Sequence, residues 1–96
     1  MIKYVVLGNW TDKGRETLKE DYPQRLETSR KIVEDLGGKM DLNFTMGEYD
    51  FVGIISAPDE ESVIKMLLKV NSMGKFTTKT LRAWSAPEFV KLVKEL

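Results

Sequence analysis

The chain has no cysteine and no histidine among its 96 residues. The first absence removes disulfides and thiolate nucleophiles; the second removes imidazole bases and the usual zinc ligands. Any chemistry falls to Asp, Glu, Lys, Tyr, Ser or Thr, and no metal and no cofactor is expected. An excess of one charge is missing as well. Fifteen basic residues balance 15 acidic ones, so no global field draws the chain to nucleic acid or to an anionic membrane. Long apolar runs are missing too. The opening Met1-Ile2-Lys3-Tyr4-Val5-Val6-Leu7-Gly8 is too short for a signal peptide or a membrane span, and a cytoplasmic location is expected. There is no Gly-rich phosphate loop, no metal-ligand spacing and no nucleophile with a histidine base.

What is present organises itself around Thr45-Met46-Gly47-Glu48-Tyr49-Asp50-Phe51-Val52-Gly53-Ile54-Ile55-Ser56-Ala57-Pro58-Asp59. Gly47-Glu48, with glycine first, has the pattern of a type II′ turn, which sets Met46 opposite Tyr49 in a hairpin. Ala57-Pro58-Asp59 then supplies a preset φ and an N-cap, and so starts a helix. Upstream, the β-branched and aromatic run Ile2 to Trp10 predicts a strand. A helix capped by Thr11 or Asp12 follows, weakened by Gly14 and broken near Asp21 to Pro23. Tyr22, Leu26, Ser29, Val33 and Leu36 recur at helical spacing until Gly37-Gly38 stops them.

Lys39 to Met46 alternates in polarity and predicts a one-sided strand. Its partner, Tyr49 to Ala57, is apolar on both sides and predicts cover on both faces. Val63, Met66, Leu67, Val70 and Met73 mark one face of the next helix, which ends at Gly74. Lys75 to Trp84 is the last strand. Ser85-Ala86-Pro87-Glu88 has the form of a capping box opening a short amphipathic helix with Phe89, Leu92, Val93 and Leu96 on one face.

The order βαββαβ with a C-terminal helix predicts one α+β domain over residues 1–96: a ferredoxin-like, four-stranded antiparallel sheet with two helices on one face. Alternation groups Tyr4, Val6 and Trp10 with Met40, Leu42, Phe44, Met46, Tyr49, Phe51 and Ile55, and with Phe76, Thr78, Thr80, Arg82 and Trp84. This set is assigned to the open face, and Val5, Leu7, Leu81 and Ala83 to the face beneath the helices. So large an apolar patch needs cover, which predicts a homodimer meeting through Tyr4, Val6, Phe44, Met46, Phe51, Ile55 and Phe76.

The run Gly47-Glu48-Tyr49-Asp50, with Thr45-Met46 before it and Ala57-Pro58-Asp59-Glu60 after it, resembles the signature of the GYD-domain family. Asn9-Trp10-Thr11, Gly37-Gly38 and Leu81-Arg82-Ala83 are similar to the same family, and the likeness covers essentially the whole chain. It implies a small ferredoxin-like protein of the dimeric α/β-barrel type and supplies no catalytic residue. Haem-handling proteins of that wider group need an axial histidine, which is absent here.

The expected function is a small-molecule-binding or assembly module acting as a homodimer, with ligand candidates Asn9, Trp10, Tyr49, Asp50, Arg82 and Trp84. The alternative is a cofactor-independent oxygenase- or isomerase-like enzyme with a pocket between sheet and helices. Catalysis is not the favoured reading, and Asp50 serves as a general base in one view and a helix-cap or turn acceptor in the other. A nucleic-acid module shares the element order. However, Val6 stands where its stacking aromatic belongs, and Glu48 and Asp50 place negative charge where phosphates approach.

Overall fold

The computed structural model describes Met1 to Leu96. Its elements are β1 (Ile2–Trp10), α1 (Asp12–Glu16), α2 (Leu18–Asp21), α3 (Gln24–Asp35), β2 (Lys39–Phe44), β3 (Phe51–Ala57), α4 (Glu60–Asn71), β4 (Phe76–Ala83) and α5 (Ala86–Lys94). The strands form one antiparallel sheet in the order β2-β3-β1-β4. This is the ferredoxin-like split βαβ arrangement. The starts of α1, α4 and α5 are held by local chemistry. The Thr11 hydroxyl accepts from the Gly14 N–H at 3.0 Å and the Asp59 carboxylate from the Ser62 N–H at 2.7 Å, while Ser85 and Glu88 cap each other reciprocally. Pro23 separates α2 from α3 as its chemistry requires.

The core lies between the sheet and helices α3 and α4. Val6, Ile55 and Ala57 pack against Val33 of α3 and Val63 and Met66 of α4, with Ile2, Tyr4, Leu36, Met40 and Leu67 around them. Val6 stands opposite Gly53 and Thr80, and Phe44 opposite Phe51. The alternating sets are therefore grouped as the sequence indicates, but the faces are exchanged. Tyr4, Val6, Phe51, Ile55 and Phe76, assigned above to the open face, belong to the covered one, with Val6, Phe51, Ile55 and Phe76 buried. The open face carries Val5, Leu7, Val52, Ile54 and Leu81. The helices present Val33, Val63 and Met66 to a roof that must be filled, and the bulkier set fills it. Alternation says which residues share a face and not which face is roofed.

The hairpin keeps its register but frays before its tip. Pairing stops at Phe44–Phe51, although the Thr45 N–H still reaches the Asp50 carbonyl at 2.9 Å. Beyond it the chain is diverted toward β1. The Asp50 N–H donates to the Gly8 carbonyl and its carboxylate accepts from the Trp10 N–H, both at 2.9 Å. Gly47 supplies φ +122° at the tip. Met46 is left fully in solvent at 99% exposure, away from the apolar face on which alternation had placed it.

Candidate functional site

The site begins with a glycine on β1. Gly8 has no Cβ, and the Phe51 ring lies across the vacant position. That seat lets Phe51 reach Trp10 on one side, at 5.1 Å between ring centroids, and Phe76 on the other at 5.5 Å. Phe44 stacks on Trp10 at 6.1 Å, and Tyr22 closes the group edge-on to Trp10 at 5.8 Å and to Phe44 at 5.9 Å. Behind this aromatic wall, between the sheet and α3 and α4, lies a cavity of about 60 Å³ lined by Val33, Met40, Leu67, Val70 and Phe76 among others. Trp10 and Tyr22 also border an open outer groove with Leu18, Phe44, Thr45 and Asp50.

One cation stands in this apolar wall. The Arg25 side chain is only 3% exposed. Its guanidinium lies 5.7 Å from the Trp10 ring centre and 5.3 Å from that of Tyr22, within cation–π range. Nη2 donates to Asp21 Oδ1, to the Gly14 carbonyl at 3.2 Å and to Thr17 Oγ1 at 3.2 Å. Nε and Nη1 are buried and donate to nothing. Lys75 also leans on this carboxylate, with Nζ 3.4 Å from Asp21 Oδ2, and donates to the Thr17 hydroxyl at 2.9 Å. Two cations thus share one acid. Partial burial alone would raise the Asp21 pKa, but the hydrogen bonds from Thr17 and Arg25, the charge of Arg25 and the contact from Lys75 together hold it below its ordinary value. Burial moves the Tyr22 phenol the other way, upward, against the opposing charge of Arg25.

Of the residues the sequence nominated for a ligand, Trp10 and Asp50 meet here. Trp10 lines both spaces, and Asp50 borders the groove while its carboxylate holds the Trp10 N–H. The other four do not join them. Asn9 pairs with Thr77 in the register of the open face, and the Tyr49 ring lies 5.8 Å from Lys79 Nζ. Arg82 and Trp84 form a separate contact at the far end of the sheet, 4.5 Å from guanidinium to ring centre, with Arg82 also donating to the Lys3 carbonyl at 3.1 Å. The residues missed were Arg25, Asp21 and Lys75. Arg25 was legible in principle: it stands four residues before Ser29 and eight before Val33 on the inward stripe of α3, and Asp21 stands four residues before it, across the Pro23 break.

The opposite side of the sheet is a surface rather than a pocket. Val5 stands between Ile54 and Leu81, and Leu7 between Val52 and Lys79. Ile54 is 37% exposed and Leu81 53%. Helix α5 has no buried residue, and its apolar positions Phe89, Leu92 and Val93 are about half exposed. No helix is long and apolar enough to cross a membrane.

The chain resembles known proteins along its whole length. It is 31% identical over 96 residues to a Thermus thermophilus protein described as a glutamine synthetase and cystathionine beta-lyase binding protein, covering 98% of this chain and 100% of that one. Its fold is similar to the crystal structure of TTHA0845, also from Thermus thermophilus, with TM-score 0.58, 20% identity, and 90% and 96% of the two chains covered. It is also similar to At3g17210 from Arabidopsis thaliana, with TM-score 0.51, 12% identity and coverage of 90% and 98%. Residues 4–93 match the GYD domain, and with these features in place the chain belongs to the GYD-domain family.

Proposed function

We propose that the chain is a binding and assembly module that acts as a homodimer and docks protein partners. The observation that carries the reading is the open sheet face. Val5, Leu7, Val52, Ile54 and Leu81 form a contiguous apolar field on it, flanked by Lys79, Asp41 and Asn43. Covering the exposed remainder of these five side chains contributes about 1 kcal/mol each, or roughly 10 kcal/mol over two copies. Association costs about 4 to 15 kcal/mol, so the sheet face alone roughly breaks even. The apolar face of α5 supplies the surplus when it lies against the second copy. The interface residues differ from those expected from alternation, because the covered and open faces are exchanged.

The description of the Thermus relative supports protein partners for this family member. The pocket behind Trp10 does not favour the enzyme alternative. Its wall offers a tyrosine whose pKa burial raises and a guanidinium that only donates, and neither is a base at neutral pH.

Sedimentation velocity at micromolar concentration tests the reading. The wild-type chain is expected to run as a dimer. Ile54→Lys with Leu81→Lys should give a monomer whose thermal unfolding is little changed, since both side chains are exposed in the protomer. A monomeric wild-type chain, or a dimer indifferent to the double substitution, refutes it. A dimer that shows no affinity for purified glutamine synthetase refutes only the extension of that partner to this chain.

A further inference from the structure

We propose that the cavity between the sheet and helices α3 and α4 binds a small apolar monocarboxylate, its head on Arg25 and its hydrocarbon end among Val33, Met40, Leu67 and Val70. The inference is independent of whether two copies pair.

Three observations carry it. First, a charged side chain that is only 3% exposed leaves Nε and Nη1 without an acceptor. Buried donors are nearly always paired, and an unpaired donor on a charged group is among the most expensive to leave so. Trp10 and Tyr22 face the charge with their rings but offer these N–H groups no carboxylate or carbonyl lone pair. Second, the local charges do not balance. Arg25 and Lys75 carry two positive charges against the single carboxylate of Asp21, so one anionic group neutralises the cluster. Third, the space beyond the guanidinium is lined mostly by hydrophobic residues and measures about 60 Å³. One water needs about 10 to 15 Å³ of such space together with two to four polar partners, and these walls supply few. A branched alkyl end or one aromatic ring fills the volume without needing any. A carboxylate fits the unpaired donors, because hydrogen bonds between a guanidinium and a carboxylate are charge-assisted and short.

Benzoate and isovalerate are suitable probes, with benzamide and isoamyl alcohol as uncharged counterparts. Trp84→Phe leaves Trp10 as the single indole beside Arg25, so its fluorescence reports occupancy while titration calorimetry gives the affinity. Saturable binding of at least one carboxylate below about 1 mM is expected. Its uncharged counterpart should bind about 10- to 100-fold more weakly, and Arg25→Met should remove the preference by the same factor. Should Arg25→Met fail to fold, Leu67→Phe keeps the arginine and fills the cavity, and it should abolish binding while the protein unfolds cooperatively as before. Equal affinity for charged and uncharged probes, binding unchanged by Leu67→Phe, the same signal from chloride or inorganic phosphate alone, or no saturation by either carboxylate at about 10 mM overturns the proposal.

Discussion

Substituting Gly8 tests how the site is built. A Cβ at residue 8 would sit 2.0, 2.3 and 2.5 Å from three atoms of the Phe51 ring. Ordinary contact begins at 3.4 Å, so the ring has to withdraw by more than an ångström. Phe51 is 7% exposed and is held between Trp10 and Phe76, so the only slack beside it is the small cavity it helps to line. Overpacking of this kind costs about 1 to 3 kcal/mol, the ring being restrained by Trp10 and Phe76 but relieved in part by the cavity. Gly8→Ala should therefore lower stability by about 1 to 3 kcal/mol, and Phe51→Ala, which enlarges the cavity instead, by about 3 to 5 kcal/mol. The informative variant is the double one. With the ring gone, the new methyl has room, and alanine is slightly better than glycine in a strand. Gly8→Ala in the Phe51→Ala background should then be neutral or stabilising by a few tenths of a kcal/mol. Urea unfolding with a constant m-value measures each corner of this cycle. A loss below about 1 kcal/mol for Gly8→Ala alone, or the same loss in both backgrounds, refutes the idea that residue 8 exists as glycine to seat that ring.

The ionisable groups give two expected pH dependences of opposite sign. Hydrogen bonds from the Ser62 backbone and side chain hold Asp59 below its ordinary 3.8, and those from Ser85 hold Glu88 below 4.5. Their stabilisation is present above the unfolded values and is lost as pH falls through the lower folded ones. Asp59→Ala should therefore lower the urea midpoint at neutral pH and flatten its acid limb, and an unchanged limb would contradict the cap. Tyr22 behaves in the reverse sense. Burial raises its pKa above 10.0, so its contribution is present below pH 10.0 and is lost as pH climbs toward the folded value. Tyr22→Phe should flatten the alkaline limb of the same curve, and an alkaline limb as steep as in wild type would show that the phenol is solvated.

Local chemistry carried most of the fold. The caps at Thr11, Asp59 and Ser85, the break at Pro23 and the glycines closing α3 and α4 all act within a few residues, and each stands where the sequence indicates. Tertiary approach is a different matter. Gly14 reads locally as a weak point in a helix, yet a Cβ there would meet the Lys75 carbonyl oxygen at 1.9 Å. It is glycine because the β4 approach passes against it, in the same place where the Thr11 N–H donates to that carbonyl at 3.0 Å. The hairpin tip failed for a related reason. Asp50 is drawn to Gly8 and Trp10 on β1, partners about forty residues away that no turn rule takes into account.

The same distinction explains why the pocket was half seen. Trp10 announced itself as a large aromatic at a strand end, whereas Arg25 sits in a helix whose other charged residues face water, and its class is almost never buried unless paired. Its burial follows from periodicity once the stripe is extended backwards from Val33 through Ser29, and its tolerance of burial follows from Asp21 at the end of α2, across the Pro23 break. Neither clue indicates that two of its nitrogens are left free. Nor does either clue place Lys75, fifty-four positions after Asp21, on the same carboxylate and on Thr17. Arg25 also donates to the Gly14 carbonyl and Thr17 and lies over the Trp10 and Tyr22 rings, roles a flat guanidinium fills better than an ammonium. Arg25→Lys is thus a substitution that can keep the charge beside Asp21 while removing the planar fork, and if the proposed site is right it should weaken carboxylate binding in the calorimetric titration as Arg25→Met does.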